Sequence, residues 1–411
     1  MQQRKLFLII DGSSLLSTSF YGTVGPAYLM AKTEEDKAKA LEKLLKTSDG
    51  RYTNGVYTFM KTLLNLIKNQ KPTHMAIVWD RTRQTFRQNI SGVDGSYKGN
   101  RKSTPDALSQ QFKTTQDLLK DIIPQFLSSI DDDTIYEADD FAGSLARKFE
   151  EEVSVALFTK DMDYLQLISE HTKAWIVTSK ADEMFAKYNI NPKDFEIPSG
   201  VFEYTMTSFS DEIGLNTPEE FVDAKAIMGD KSDNIPGVHG VGDKAAIPLV
   251  KEYGTLENIY DTIEGLSPKE EKELKKFFKE SLGISRSPIA YMLKEGTIAL
   301  SNGEKLSYKC LGENLTDEQL AAQDIIKEKL GGLRFPIEIT SENGLEKLQN
   351  EEVLGVELSA KESAFMSKEL AKIVTDIPAI QSLSLDDVKL NINQELLKKR
   401  LLDLEIKSLV V

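Results

Sequence analysis

The chain has 411 residues and a formal net charge of −14, with 40% hydrophobic and 28% charged residues. That balance excludes a disordered or collagen-like chain, and no window reaches the ~20 apolar residues of a membrane span. One cysteine, Cys310, excludes a disulfide framework and a cysteine-built zinc site, and fits a reducing, cytoplasmic compartment. The acidic total argues against a general nucleic-acid binder, so the placement of charge carries the reading.

Met1-Gln2-Gln3-Arg4-Lys5 leads into five apolar residues before Asp11, too few for a secretory signal. Leu6–Ile10 before Asp11, Met75–Trp79 before Asp80 and Val155–Phe158 before Asp161 predict strands. Their apolar runs do not alternate, as expected of parallel strands buried on both faces. Residues 31–47 predict a charged helix. Val56, Phe59, Met60, Leu63, Leu64 and Ile67 follow helical spacing and predict a packed helix. Strands alternating with helices imply an α/β parallel sheet, whose ligand crevice lies beyond the carboxyl ends of the strands. The three aspartates stand at that edge. A basic segment follows Asp80, with Arg81, Arg83, Arg87, Lys98, Arg101 and Lys102 against Asp94. Glu137-Ala138-Asp139-Asp140 opens a predicted helix over 139–152. From about Ser210 the pattern becomes helical, interrupted by a tight Gly237–Gly242 loop. Residues 267–282 predict a solvated Lys/Glu helix, and 300–411 carry no clustered catalytic residue types.

Nine carboxylates stand out: Asp11 and Asp80, and three short acidic groups, Glu137, Asp139 and Asp140, then Asp161 and Asp163, then Asp230 and Asp233. Singly, such residues are turn formers or helix caps. Gathered on one edge they repel, by about 4 kcal/mol per pair at ~4 Å in an effective dielectric near ~20. Oxygen-only ligands then call for hard cations, Mg²⁺ or Mn²⁺, two of which can clamp a phosphodiester under attack. Lys98 and Arg101 can carry the phosphate charge that such an acidic cleft would otherwise repel. Gly240 and Gly242 permit close backbone approach, and Lys244 opens the next helix, a geometry suited to phosphate. The three histidines, His74, His171 and His239, and the isolated Cys310 form no nucleophile–base pair.

These motifs, in this order, resemble the 5′ nuclease family, which includes the N-terminal 5′→3′ exonuclease domain of bacterial DNA polymerase I and the flap endonucleases. Ile9-Ile10-Asp11-Gly12-Ser13-Ser14 looks like the family's first motif. Asp80, Thr85-Phe86-Arg87 and Tyr97-Lys98-Gly99-Asn100-Arg101 look like the second. Glu137–Asp140 and Thr159–Asp163 look like the third and fourth. Gly229-Asp230-Lys231-Ser232-Asp233-Asn234-Ile235-Pro236-Gly237-Val238, running on to Gly240-Val241-Gly242-Asp243-Lys244, looks like the most diagnostic stretch. The resemblance spans about residues 4–265 and resumes near 363–378. Two positions depart from the family pattern: Thr18, where an arginine is usual, and Lys160, where a glycine is usual.

The resemblance implies a PIN-like parallel sheet flanked by helices, with a helical arch and a helix–hairpin–helix subdomain. It implies a core over 1–205, the hairpin subdomain over 206–300, and an extension of unknown role over 301–411. A first metal would use Asp11, Asp80, Glu137, Asp139, Asp140 and Asp161; a second would use Asp163, Asp230 and Asp233; K⁺ would sit at the hairpin. Lys98 and Arg101 would act on the scissile phosphate, and Arg87, Gly240, Gly242 and Lys244 would hold DNA. The expected function is metal-dependent 5′→3′ exonuclease or flap cleavage of DNA with 5′ ends, flaps or nicks, with RNA primers as a further substrate. The expected chain is a monomer off the membrane, without polymerase activity, whose first 300 residues fold alone. The alternative is a catalytically weak, structure-specific DNA-binding protein, which Thr18 and Lys160 favour and the nine carboxylates oppose.

Overall fold

The structure, a computed structural model, describes residues 5–90, 97–312 and 314–410. Asp94 and the first four residues lie outside them. The chain forms two compact units. One comprises residues up to 83, 102–208 and 373 onward; the other comprises 84–101 and 209–372. This division differs from the three consecutive segments expected.

The first unit is built on a six-stranded sheet: β1 Leu6–Asp11, β2 His74–Val78, β3 Gln125–Phe126, β4 Ser154–Thr159, β5 Thr172–Val177 and β6 Val201–Tyr204, in the order β3-β2-β1-β4-β5-β6. All neighbours pair in parallel except β5 and β6. The apolar runs of β1, β2 and β4 are buried along nearly their whole length, because helices cover the sheet. Strand order reverses between β1 and β4. Their carboxyl ends therefore flank the topological switch point, where open α/β sheets place ligands.

The helix Asn54–Gln70 buries Val56, Phe59, Met60, Leu63 and Leu66, and stops at Lys71, whose backbone is left-handed at φ 46°. Phe59 stacks on Trp79 at 5.8 Å. The charged helix expected over 31–47 shortens to Glu34–Leu41, capped by Thr33; Ala40 is its sole buried residue. Without an apolar stripe, a longer helix has nothing to dock.

The segment from 373 onward completes this unit. Leu390 donates its N–H to the Thr73 carbonyl at 3.0 Å, and Leu397, Leu401, Leu404 and Ile406 enter the same core as Leu8 and Phe59. Arg400 donates to the Leu118 carbonyl at 3.1 Å. A chain ending near residue 300 would have to fold without these contacts.

In the second unit, the helices Glu220–Met228 and Asp243–Tyr253 flank the glycine loop, as expected of a helix–hairpin–helix. The helix Ala360–Ala371 packs against the first of them. Ser367 Oγ accepts the Gly237 N–H at 2.9 Å, and Ser363 Oγ donates to the Gly237 carbonyl at 2.7 Å. The Lys/Glu helix spans Pro268–Glu280, opened by the Ser267–Glu270 capping box. The sequence reading missed a four-stranded antiparallel sheet, β10-β7-β8-β9, of β7 Gly296–Leu300, β8 Lys305–Cys310, β9 Ile337–Ile339 and β10 Val353–Glu357. Within 84–101, the described residues show a 3-10 turn, Phe86–Asn89, and no α-helix of an arch. Among the described residues, no helix is long and apolar enough to cross a membrane.

Candidate metal centre

Asp11 ends β1, Asp80 follows β2 by two residues, and Asp161 follows β4 by two. The order β2-β1-β4 sets these three ends side by side. Asp11 is buried at the floor; Asp80 and Asp161 are exposed at the rim. Close packing of the first helix, Gly12–Tyr21, depends on Gly12. A Cβ there would stand 2.7 Å from Ile77 and 2.8 Å from the Trp79 ring.

Backbone and hydroxyl donors aim the carboxylates. Asp11 accepts the Ser14 N–H at 2.9 Å and the Thr159 hydroxyl at 2.7 Å. Asp80 accepts the Ala138 N–H at 3.0 Å, tying the start of the helix Ala138–Phe149 to the end of β2. Its own N–H donates to Ser13 Oγ at 2.8 Å. Asp161 accepts the Asp163 N–H at 2.9 Å and caps the 3-10 helix Met162–Leu167. Capping and site roles coincide here. Asp140 is placed differently: its two oxygens accept the N–H groups of Glu137 at 2.9 Å and Val374 at 2.8 Å, so it holds the 373–377 segment on the helix.

Asp11 shows the strain of gathering these charges. Burial, then the nearby Asp80 charge, push its carboxyl up to about 7, against the Ser14 and Thr159 hydrogen bonds and with Asp161 adding to the rise. Among the described residues, no three His, Cys, Asp or Glu side chains are placed to hold a metal ion directly as they stand. The donors are nonetheless all oxygen, and a buried carboxyl beside two others is stabilised in its charged form by a cation. That set fits a hard ion that keeps part of its water shell, as Mg²⁺ does.

In the second unit, acids and bases pair with one another. Asp233 is buried, with Lys98 Nζ at 3.8 Å and an ion pair to Arg101. The Asp233 carbonyl accepts the Lys98 N–H at 2.8 Å, and Asn100 donates to the Lys231 carbonyl at 2.7 Å. The basic segment 97–101 is thus fastened to the 230–235 turn, with Lys98 itself left-handed at φ 54°. Asp230 is ion-paired with the buried Lys225 at 2.7 Å. Burial pushes the Asp230 carboxyl up, but Lys225 and the Ser232 hydroxyl outweigh it and hold it down at about 2.

Arg87, expected on DNA, is buried. Its guanidinium donates to the carbonyls of Leu370 at 3.1 Å and Lys372 at 2.8 Å, closing the carboxyl end of Ala360–Ala371. Gly240 is left-handed at φ 87°, and a Cβ there would stand 2.7 Å from the Tyr291 ring. Gly242 faces open space and precedes the helix that Lys244 enters, exposed, at its second position.

Residues 6–193 match the 5′-3′ exonuclease N-terminal resolvase-like domain, and residues 216–289 match the 5′-3′ exonuclease C-terminal SAM fold. A 5′-3′ exonuclease of Halalkalibacterium halodurans is 33% identical over 68% of this chain and 82% of its own. The chain belongs to the 5′-3′ exonuclease family. DNA polymerase I of Bacillus subtilis is 32% identical over 73% of this chain, which spans 29% of that relative's length. The T5 D15 protein, co-crystallised with metal ions, aligns at 21% identity over 68% of this chain and 86% of its own, with a TM-score of 0.44.

The two positions at which the sequence departs from the expected pattern meet in this chain. Thr18 and Lys160 line one cavity of about 270 Å³ with Ser14 and Thr159. The Lys160 N–H donates to Ser14 Oγ at 3.2 Å, one bond away from the groups that hold Asp11. Sequence reasoning missed the supporting hydroxyls of Ser13, Ser14 and Thr159, and also Lys225. It missed Tyr164 too, which is buried within reach of the charges of Asp11, Asp139, Asp80 and Asp161. The signal was present: Tyr164 directly follows Asp161-Met162-Asp163.

Proposed function

We propose that this chain cleaves DNA phosphodiesters near 5′ ends, at flaps and nicks, using Mg²⁺ or Mn²⁺ at the β2-β1-β4 edge. The observation that carries the reading is Asp11, a buried carboxyl pushed up to about 7 by its surroundings and by Asp80, at the switch point of the sheet. Asp11, Asp80, Glu137, Asp139 and Asp161 would hold the first ion, in part through water, with Asp163 supporting a second. The bound ions would activate water for attack and stabilise charge building on the phosphate.

The chain's own residues do the positioning. Ser14 and Thr159 fix the two oxygens of Asp11, Ala138 fixes Asp80, and the Asp163 N–H fixes Asp161. Lys98 and Arg101 already face an anion in Asp233, and a DNA phosphate would compete for the same donors. Asp233 would then act as the resting partner of the phosphate-binding cations, and Asp230 as the partner of Lys225. Lys244 and the amides beside Gly242 would hold backbone phosphates without reading sequence. RNA–DNA junctions belong to the same substrate class, because nothing in this set reads a base.

The test is a 5′-labelled flap duplex incubated with the chain in Mg²⁺ and in EDTA. The reading expects short 5′ products in Mg²⁺ alone. Equal affinity for flap DNA with no product in Mg²⁺ or Mn²⁺ would favour the binding-protein alternative.

A further inference from the structure

Tyr164 lies in the 3-10 helix Met162–Leu167, directly after the rim carboxylates Asp161 and Asp163. The side chain is buried, 1% exposed. Its hydroxyl has no hydrogen-bond partner among the described residues. Asp11, Asp139, Asp80 and Asp161 dominate the charge around it. Burial, followed by those four charges, pushes the phenol well above its usual range, so it remains a neutral O–H.

An unsatisfied buried hydroxyl costs about 1–3 kcal/mol, and tyrosine has an alternative, phenylalanine, that fills the same space without that cost. The hydroxyl therefore needs a partner that arrives with the site's ligand. A metal ion that keeps part of its shell supplies one. Its waters are polarised donors, and a hydroxyl can accept from one water while donating to another oxygen. Lysine could not accept, and a further carboxylate would add to the repulsion.

We infer that Tyr164 is a positioning residue whose hydroxyl holds a hydration water of the cation bound at the Asp11–Asp80–Asp139–Asp161 edge. This rests on the metal site proposed above. It goes beyond it by assigning a neutral group that favours the hydrated ion while adding no charge.

The experiment compares the full-length chain with Tyr164→Phe, using Mn²⁺ alone as the probe. Mn²⁺ affinity is read by calorimetry and by electron paramagnetic resonance without DNA. Melting is read in EDTA and in saturating Mn²⁺. In EDTA the variant is expected to melt at or above the wild-type temperature, because it no longer buries an unsatisfied hydroxyl. Its Mn²⁺ affinity is expected to fall about tenfold, the worth of one hydrogen bond to a polarised partner, and the Mn²⁺-induced rise in melting temperature to shrink. Unchanged affinity and an unchanged rise would overturn the inference and leave the metal site standing. A wild-type chain that binds no Mn²⁺ would overturn both. If Tyr164→Phe does not fold, Tyr164→Met makes the same comparison.

Discussion

The two units solve the problem of an inward-facing aspartate in opposite ways. In the second unit, Asp230 and Asp233 face Lys225, Lys98 and Arg101, and Asp230 is held down at about 2. In the first, Asp11 is buried and oriented by an amide and a hydroxyl; burial first, then the charges of Asp80 and Asp161, raise it to about 7. The sequence shows both as acids in short motifs. The difference lies in how deeply the fold buries each acid and in what it supplies as counter-charge. Where the protein brings its own cation, the carboxylate contributes to stability. Where it does not, the carboxylate subtracts from stability until a cation binds, as expected of a site kept for function.

Three substitutions separate the two groups, and a fourth probes the glycine loop. Asp161→Asn should reduce cleavage in Mg²⁺ by about a thousandfold or more, since a ligand charge is lost with little change of shape. Its melting temperature in EDTA should hold or rise, and a fall of several degrees would place Asp161 with the structural acids. Lys225→Met should act in the other direction. It leaves the half-buried Asp230 without its ion-pair partner, and denaturant unfolding should show a loss of about 3 kcal/mol. A neutral result there would dissolve the contrast between the units.

Asp233→Asn should cost less, about 1 kcal/mol, because the partly exposed Arg101 can turn to water. By releasing Lys98 and Arg101 it should tighten flap binding in Ca²⁺. Weaker binding would mean that Asp233 orients those cations for DNA instead of occupying them. Gly242→Ala should be the mildest. Its Cβ meets open space, so melting should stay within about 0.5 kcal/mol, while flap affinity reports any close approach of phosphate.

The centre of the first unit was legible because β1, β2 and β4 are unbroken apolar runs leading to aspartate, and the candidate edge follows from that pattern; β3, β5 and β6 lack it and went unread. The expected roles of Arg87 and Asp140 were not, because burial decides them. Arg87 reads as a DNA contact in a basic segment, yet it closes a helix some 280 residues away in sequence, at Leu370 and Lys372. The second sheet was overlooked although its alternation is written in Ile298 and Leu300 against Leu306 and Tyr308, all buried. Short strands between charged helices give a weak period-two signal. The return of residues 390–410 to the first core has no local signature, since nothing in a short amphipathic helix names its partner.

Asp11 is the pivot of the candidate site, and its metal-free pH dependence is the direct measurement. The folded carboxyl titrates at about 7 and the unfolded one at 3.8, so between these values the folded chain binds the extra proton. Stability from this group is therefore present below pH 4 and lost as pH rises through 7, by an amount of order 4 kcal/mol. In EDTA, wild-type melting temperature should fall between pH 5 and pH 8 relative to Asp11→Asn, and saturating Mn²⁺ should remove that difference in slope. Parallel pH profiles for the two proteins in EDTA, with no Mn²⁺-dependent change, would contradict the claim that this edge holds charge awaiting a cation.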